Sequence, residues 1–276
     1  MQAFSVWTPP GGTLGRIVAE AGERARLLAS GARDLERRAG QAPPAPAFAA
    51  ALRRDAVAVI AEVKRRSPSK GDIAPGLSAV DQARAYEHGG AAAVSVLTEP
   101  THFGGSIDDL AAVRARVSLP LLRKDFIVDR LQLVEARAAG ASAVLLIARA
   151  LAPETLIALA ADARALSLET LIEVRDPAEL ARALDAGADV VGINNRDLET
   201  LVIDESTSVR LLPLVPADRP AVAESGMRVR DDVERVAAVG ADAVLIGSAL
   251  SGVADPARAV AALAGVRRLE RRREVE

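Results

Sequence analysis

The sequence predicts an α/β protein, a (β/α)8 TIM barrel carrying an N-terminal helical extension. The main observation is an internal repeat, a helix end with Gly and Ala followed by an apolar run. It reads HGGAAAVSVL from His88, AGASAVLLI from Ala139, AGADVVGIN from Ala186 and VGADAVLIG from Val239, with glycines at 90, 140, 187 and 240. The second observation is a further apolar run between successive copies: LPLLRK at 119–124, TLIEV at 170–174 and AVAES at 221–225. With an opening strand near 57–64, that makes eight short runs. The third is that amphipathic Ala/Leu/Arg segments, such as APETLIALAADARAL, separate these runs. Strands alternating with helices build a parallel sheet. Eight such units in a chain of this length match a closed barrel. The competing architecture, an open doubly wound sheet, usually carries a Gly-rich fingerprint after its first strand, and none is present here.

Taken in order, residues 13–40 read as helical, and the Pro-rich stretch QAPPAPAF joins them to the barrel. Residues 1–50 are therefore expected to be extension and linker, and 51–276 the barrel, within one domain overall. A lid over the barrel, a plug beneath it and a plain packing extension are open alternatives. The first strand alternates faces, with Val57, Val59, Ala61 and Val63 on one side and Ala58, Ile60, Glu62 and Lys64 on the other. Each repeat glycine is a helix stop just ahead of the next strand. The C-terminal RRLERRREVE reads as a solvated helix end.

Composition narrows the function. Half of the 276 residues are hydrophobic and the formal charge is −2, so nothing suggests a nucleic-acid or membrane partner. No cysteine is present, which excludes disulfides, thiol catalysis and thiolate metal sites. His88 and His102 lack metal-ligand spacing. The N-terminus MQAFSVWTPPGG has no secretion-signal pattern, so a cytoplasmic location is expected. Only three of 35 basic residues are lysine (Lys64, Lys70 and Lys124), and Asn194 and Asn195 are the only asparagines.

Active sites of these barrels lie at the C-terminal ends of the strands. Read off in order, those ends carry Glu62 and Lys64, Leu97 with Phe103 beyond, Lys124 followed by Phe126, and Leu145 and Ile147. The remaining four carry Glu173, Asn194 with Arg196, Glu224-Ser225-Gly226, and Gly247-Ser248. A structural ion-pair plug is the bland explanation. It accounts poorly for five ionisable groups at one end, because each charge taken from water costs several kcal/mol. Lysine, unlike arginine, can release a proton, so its use at two strand tips favours acid–base or Schiff-base chemistry. ESGM and IGSAL place small residues where backbone N–H groups can meet a phosphate, with a helix N-terminus expected to help. Phe103 and Phe126 could stack on a planar ring.

These residues together resemble the indole-3-glycerol-phosphate synthase family of tryptophan biosynthesis. The resemblance runs from about residue 14 to 263 and rests on EVKRRSPSKG, LRKDFIVD, LIEV, GINNRDL, AESG and LIGSAL. It implies a carboxy-lyase that closes the indole ring of 1-(2-carboxyphenylamino)-1-deoxyribulose 5-phosphate with loss of carbon dioxide and water, and it implies no cofactor and no metal. Carried over, Lys124 would be the general acid and Glu173 would assist proton transfer in dehydration. Lys64 would hold the substrate carboxylate or phosphate and could serve as an acid too, positioned by Glu62, and Asn194 and Glu224 would bind ribulose hydroxyls and steady the lysines. Ser67, Phe103, Phe126 and Arg196 would surround the aromatic carboxylate. Ser225, Gly226, Gly247 and Ser248 would form the phosphate end. The family's extension would cover the mouth. Lys124 beside carboxylates would keep its proton, while burial would lower its pKa. Against the family pattern, the loop TEPTHFGGS carries Pro100 and His102 where a more charged sequence is expected. Three alternatives stay open: another phosphate-binding barrel enzyme, a Schiff-base enzyme using Lys124, or a barrel that binds a phosphometabolite without turnover. Association with other enzymes of the pathway is not legible.

Overall fold

The computed structural model describes residues 7–269 and 271. The barrel opens with β1 (Ala58–Val63), followed by a small antiparallel hairpin of β2 (Arg66–Ser67) and β3 (Gly71–Asp72). Then come β4 (Ala93–Leu97), β5 (Leu121–Lys124), β6 (Ala143–Ile147), β7 (Glu169–Val174), β8 (Val190–Asn194), β9 (Ala221–Glu224) and β10 (Ala243–Ile246). Apart from the hairpin, these strands close into one parallel barrel in the order β1-β10-β9-β8-β7-β6-β5-β4. The (β/α)8 expectation therefore holds, with each of the eight strands where an apolar run stood.

The outer layer contains α4 (Ala79–His88), α6 (Ile107–Arg114), α7 (Arg130–Ala138), α8 (Pro153–Ala165), α9 (Pro177–Asp185), α10 (Ser206–Leu211), α11 (Arg230–Ala237) and α12 (Pro256–Leu263). The short α5 (Pro100–Phe103) sits in the loop after β4. Local chemistry fixes the helix starts. Ser78, Ser106, Asp129, Asp176 and Asp255 each accept a backbone N–H of their own first turn. The four repeat glycines all turn at positive φ, between 73° and 97°, which stops the helix and aims the chain into the next strand.

Ahead of the barrel the chain is helical as expected, but in two pieces. α1 (Gly12–Leu28) and α2 (Ala32–Gln41) are separated by a 3-10 turn at Ala29–Gly31, where Ser30 and Gly31 weaken the helix. α1 buries Leu14, Ile17, Ala21 and Ala25, and Thr13, Leu14 and Ile17 face the cavity at the C-terminal end of the barrel. α2 packs along α7. Arg137 on α7 holds the linker by donating to the carbonyls of Ala42 and Pro43. A short α3 (Phe48–Ala51), not expected from the sequence, then lies at the opposite end. Its first N–H groups are accepted by Glu169 at the start of β7, and Phe48 and Leu52 are fully buried. The pre-barrel segment thus lies against both ends of the barrel.

The C-terminal segment differs from expectation. α12 ends at Leu263, and the chain continues extended, with Ala56 and Arg267 forming an isolated bridge. Arg268 and Arg271 both pair with Asp242 at the foot of β10, so these arginines are tied down rather than solvated. Residues 270 and 272–276 of that stretch lie outside the described residues. Among the described residues, no helix is long and apolar enough to cross a membrane.

Candidate active site

At the C-terminal ends of the strands the chain encloses a cavity of about 270 Å³. All the residues singled out by the sequence line it: Glu62, Lys64, Ser67, Phe103, Lys124, Phe126, Glu173, Asn194, Arg196, Glu224, Ser225, Gly226, Gly247 and Ser248. Strand alternation brings the charged ones inward together. Lys124 Nζ donates to Glu224 Oε2 at 2.7 Å and to Glu173 Oε2 at 3.1 Å. Lys64 Nζ donates to Glu62 Oε1 at 2.7 Å, and Ser95 Oγ reaches Glu62 Oε2 at 3.4 Å.

Three buried glutamates thus face two lysines, so one carboxylate lacks a full countercharge. Burial, helped by Glu173 and Glu62, pushes the Glu224 carboxyl up to about 7 despite its bond to Lys124. Burial also acts against ionisation of Glu62, but Lys64 and Lys124 outweigh it and hold Glu62 below the ordinary carboxylate range. For Lys124, burial alone would lower the pKa; Glu224, Glu173 and Glu62 overcome it and keep the amine protonated well above its ordinary value. Of the two influences weighed from the sequence, the carboxylates win. The site therefore holds a fixed ammonium donor beside a carboxyl that exchanges its proton near neutrality. Among the described residues Glu224 Oε1 is buried with no hydrogen-bond partner, so its acceptor capacity is unspent.

Two glycines make this possible by being absent side chains. A Cβ on Gly247 would stand 2.3 Å from Glu62 Oε1 and 2.8 Å from Lys64 Nζ. One on Gly192 would stand 2.3 Å from Glu224 Oε1. Sequence reasoning placed Gly247 only at the phosphate end and passed over Gly192.

The cavity walls come from loops. Phe103 and Phe126 meet with ring centroids 6.2 Å apart, forming one aromatic wall from the loops after β4 and β5. Arg196 anchors its own loop, donating to the carbonyl of Leu201, and Asn194 Oδ1 accepts the Arg196 N–H. Ser67 Oγ is buried without a partner among the described residues. After β9, Ser225 and Gly226 both adopt positive φ, 63° and 95°. Asn195 pins that turn, since its Nδ2 donates to Ser225 O and its Oδ1 accepts Ser208 N. The backbone N–H groups of Gly226 and Ser248 have no protein acceptor among the described residues. The helix N-terminus expected there is absent. Gly247 instead opens a single turn that Gly252, at positive φ, terminates, and α12 begins only at Pro256.

A network next to Lys124 in sequence ties α1 to the barrel, and sequence reasoning missed it. Arg123 is buried between Asp125 and Glu135 and also donates to Thr98 and to Gln132 O. Arg24 on α1 reaches Glu99 and Asp125, and His102 pairs with Glu20 at 2.7 Å. His102, unexpected against the family pattern, therefore helps fasten α1. The signal available was the run Arg123-Lys124-Asp125, in which alternation must point two charges out of the barrel toward partners in the helix layer.

The sequence profile of the family described as indole-3-glycerol phosphate synthase matches residues 15–263. The chain belongs to that family. Two similar synthases make the point in detail. Indole-3-glycerol phosphate synthase 2 of Streptomyces coelicolor is 50% identical over 257 residues, covering 92% of this chain and 99% of that one. The indole-3-glycerol phosphate synthase of a Nocardioides species is 55% identical over 223 residues, covering 81% and 84%. Among solved structures, thiamine phosphate pyrophosphorylase from Pyrococcus furiosus aligns with a TM-score of 0.58 at 20% identity, over 77% of this chain and 95% of that one. That likeness speaks for the barrel alone.

Proposed function

We propose that the protein acts as an indole-3-glycerol phosphate synthase, converting 1-(2-carboxyphenylamino)-1-deoxyribulose 5-phosphate to indole-3-glycerol phosphate, carbon dioxide and water. The observation that carries this reading is Lys124, held as an ammonium between Glu173 and Glu224 and facing the cavity. The ring carbon bearing the carboxylate attacks the ketone, and Lys124 protonates the oxygen as it becomes an alkoxide. Loss of carbon dioxide restores the benzenoid ring. The resulting hydroxyl then leaves as water, with Lys64 as donor, while Glu173 takes the ring-side proton. Asn194 and the free oxygen of Glu224 hold the ribulose hydroxyls.

Phe103 and Phe126 clasp the aromatic ring, with Ser67 and Arg196 toward its carboxylate. Ser225, Gly226, Gly247 and Ser248 receive the phosphate, with Lys64 alongside. A protonated Lys124 disfavours the Schiff-base alternative, which needs a neutral amine. The substrate is a small phosphorylated molecule, and we place the enzyme in the cytoplasm.

The test is indole fluorescence on mixing with the carboxyphenylamino-deoxyribulose phosphate, beside Lys124→Met. Loss of turnover by about 10²–10⁴-fold with substrate binding retained is expected. A variant that turns over normally would remove Lys124 from the chemistry. Binding without turnover in the unaltered protein would make the barrel a phosphometabolite binder.

A further inference from the structure

The chain has three lysines, and the cavity takes all of them: Lys64, Lys124 and, on its wall, Lys70. The acid–base reading leaves Lys70 unused. Lys70 sits on the turn between β2 and β3. Across the rim, on the loop after β9, Arg228 is another cavity-lining cation without a role. Among the described residues neither side chain has an ion pair or a hydrogen bond, and both residues are exposed. The cavity's other cations are all engaged: Lys64 by Glu62, Lys124 by Glu173 and Glu224, Arg196 by the carbonyl of Leu201.

Charge balance explains what two free cations are for. Three glutamates against two lysines leave the floor at one negative charge, or at zero when Glu224 is protonated. The proposed substrate adds a carboxylate and a phosphate monoester, the latter carrying about 1.5 to 2 negative charges at pH 7. Arg196, bonded only to a neutral carbonyl, answers the carboxylate, but the floor cannot also neutralise the phosphate, so that countercharge must come from the walls. Location selects the phosphate end. Arg228 lies two residues beyond Gly226. The Lys70 hairpin packs on the loop after β10, where a Cβ on Gly252 would come within 3.3 Å of Ile73 O. Arg228 therefore follows Gly226 on one loop, Lys70 sits on the hairpin beside the loop that carries Ser248, and all four residues line the same cavity.

We infer that Lys70 and Arg228 form a two-sided cationic rim that captures the phosphate group of the substrate and completes its charge balance, without taking part in proton transfer. The inference rests on the phosphate end being where the proposed function puts it.

Lys70→Gln, Arg228→Gln and the double variant test it. Arg116→Gln serves as control, since it removes the same charge from an exposed residue at the opposite end of the barrel. Inorganic phosphate is titrated by calorimetry at two ionic strengths, and kcat and KM are measured in parallel. Each single variant should weaken phosphate and raise KM about three- to tenfold, with kcat within about twofold. The double variant should also show a flatter salt dependence of kcat/KM. Arg116→Gln should change neither, and Lys70→Arg should stay near wild type.

Unchanged phosphate affinity and KM in a folded double variant would overturn the inference. So would a fall in kcat at constant KM, or an equal effect of Arg116→Gln. If the unaltered protein binds phosphate but does not turn over, the synthase reading fails. A weakened phosphate titration in the double variant would still support the rim.

Discussion

Gly192→Ala isolates the packing that holds the acid–base site. Gly192 lies mid-strand in β8, paired with Glu173 on one side and Val222 on the other. Its backbone is one that alanine adopts freely, so the substitution tests space alone. The new Cβ would stand 2.3 Å from Glu224 Oε1 and 2.6 Å from Leu171 Cδ2, whereas real Cβ contacts are essentially never under 3.0 Å. The carboxylate must retreat by about 0.7 Å or more, the difference between those distances. It cannot do so while keeping its 2.7 Å bond to Lys124 unchanged. Overpacking of this kind costs about 1–3 kcal/mol of stability. A displacement approaching 1 Å in a catalytic group costs about 100-fold in rate. The expected result is a folded protein with a lower melting temperature and kcat reduced about 100-fold. KM for the carboxyphenylamino-deoxyribulose phosphate should move much less. The assay is steady-state indole fluorescence with thermal denaturation of the same samples. A folded Gly192→Ala variant with wild-type kcat would refute the reasoning, because it would mean that the Glu224–Lys124 geometry tolerates displacement.

Other outcomes follow from the same contacts. Because the Glu224 carboxyl is raised to about 7, it favours the folded state most below its ordinary value near 4.5, and that contribution is lost as pH rises through 7. The melting temperature of wild type should therefore fall relative to Glu224→Gln between pH 4.5 and 7, and parallel curves would contradict the assignment. Glu62 has the opposite sign: its depressed pKa stabilises the fold above about 4.5, and Glu62→Gln should lessen the loss of stability on acidification. Arg123→Met takes the cation from Glu135 and leaves Asp125 with Arg24 alone, and it should cost about 3 kcal/mol in urea unfolding. Phe103→Ala removes half of the aromatic wall and should raise KM about two- to tenfold while leaving kcat nearly intact.

Much of the site could be read because a strand end has only two faces. A lysine or glutamate following an alternating apolar run must either enter the barrel or leave it, and Glu62, Lys124, Glu173 and Glu224 each shared a face with core residues. The succession of eight apolar runs then fixed where those ends meet. What was not legible depends on distance in sequence or on space. Arg24 finds Glu99 and Asp125 from 75 and 101 residues away, and no local pattern announces such partners. Gly192 and Gly247 matter for the atoms they leave out, which only the packed barrel reveals. The tail was misread because its arginines look solvated until Asp242 comes under them. Asn195 stood out in composition, yet its task of pinning the turn at Ser225 needed the loops in place.

The barrel's seam has a consequence for how the protein assembles. β1 and β10 are neighbours, with Ala58 beside Ala243, although they lie at opposite ends of the barrel sequence. Of all the strand pairings this one spans the most chain, and loop-closure entropy delays such contacts relative to local ones. Glu62 and Lys64 stand on one side of that seam, and Gly247, which gives them room, stands just past the other. A chain emerging from the ribosome can therefore pair β4 through β9 while half of its acid–base machinery still lacks a wall. Catalytic competence arrives with the last strand, so an incompletely made or seam-opened barrel is silent rather than poorly selective.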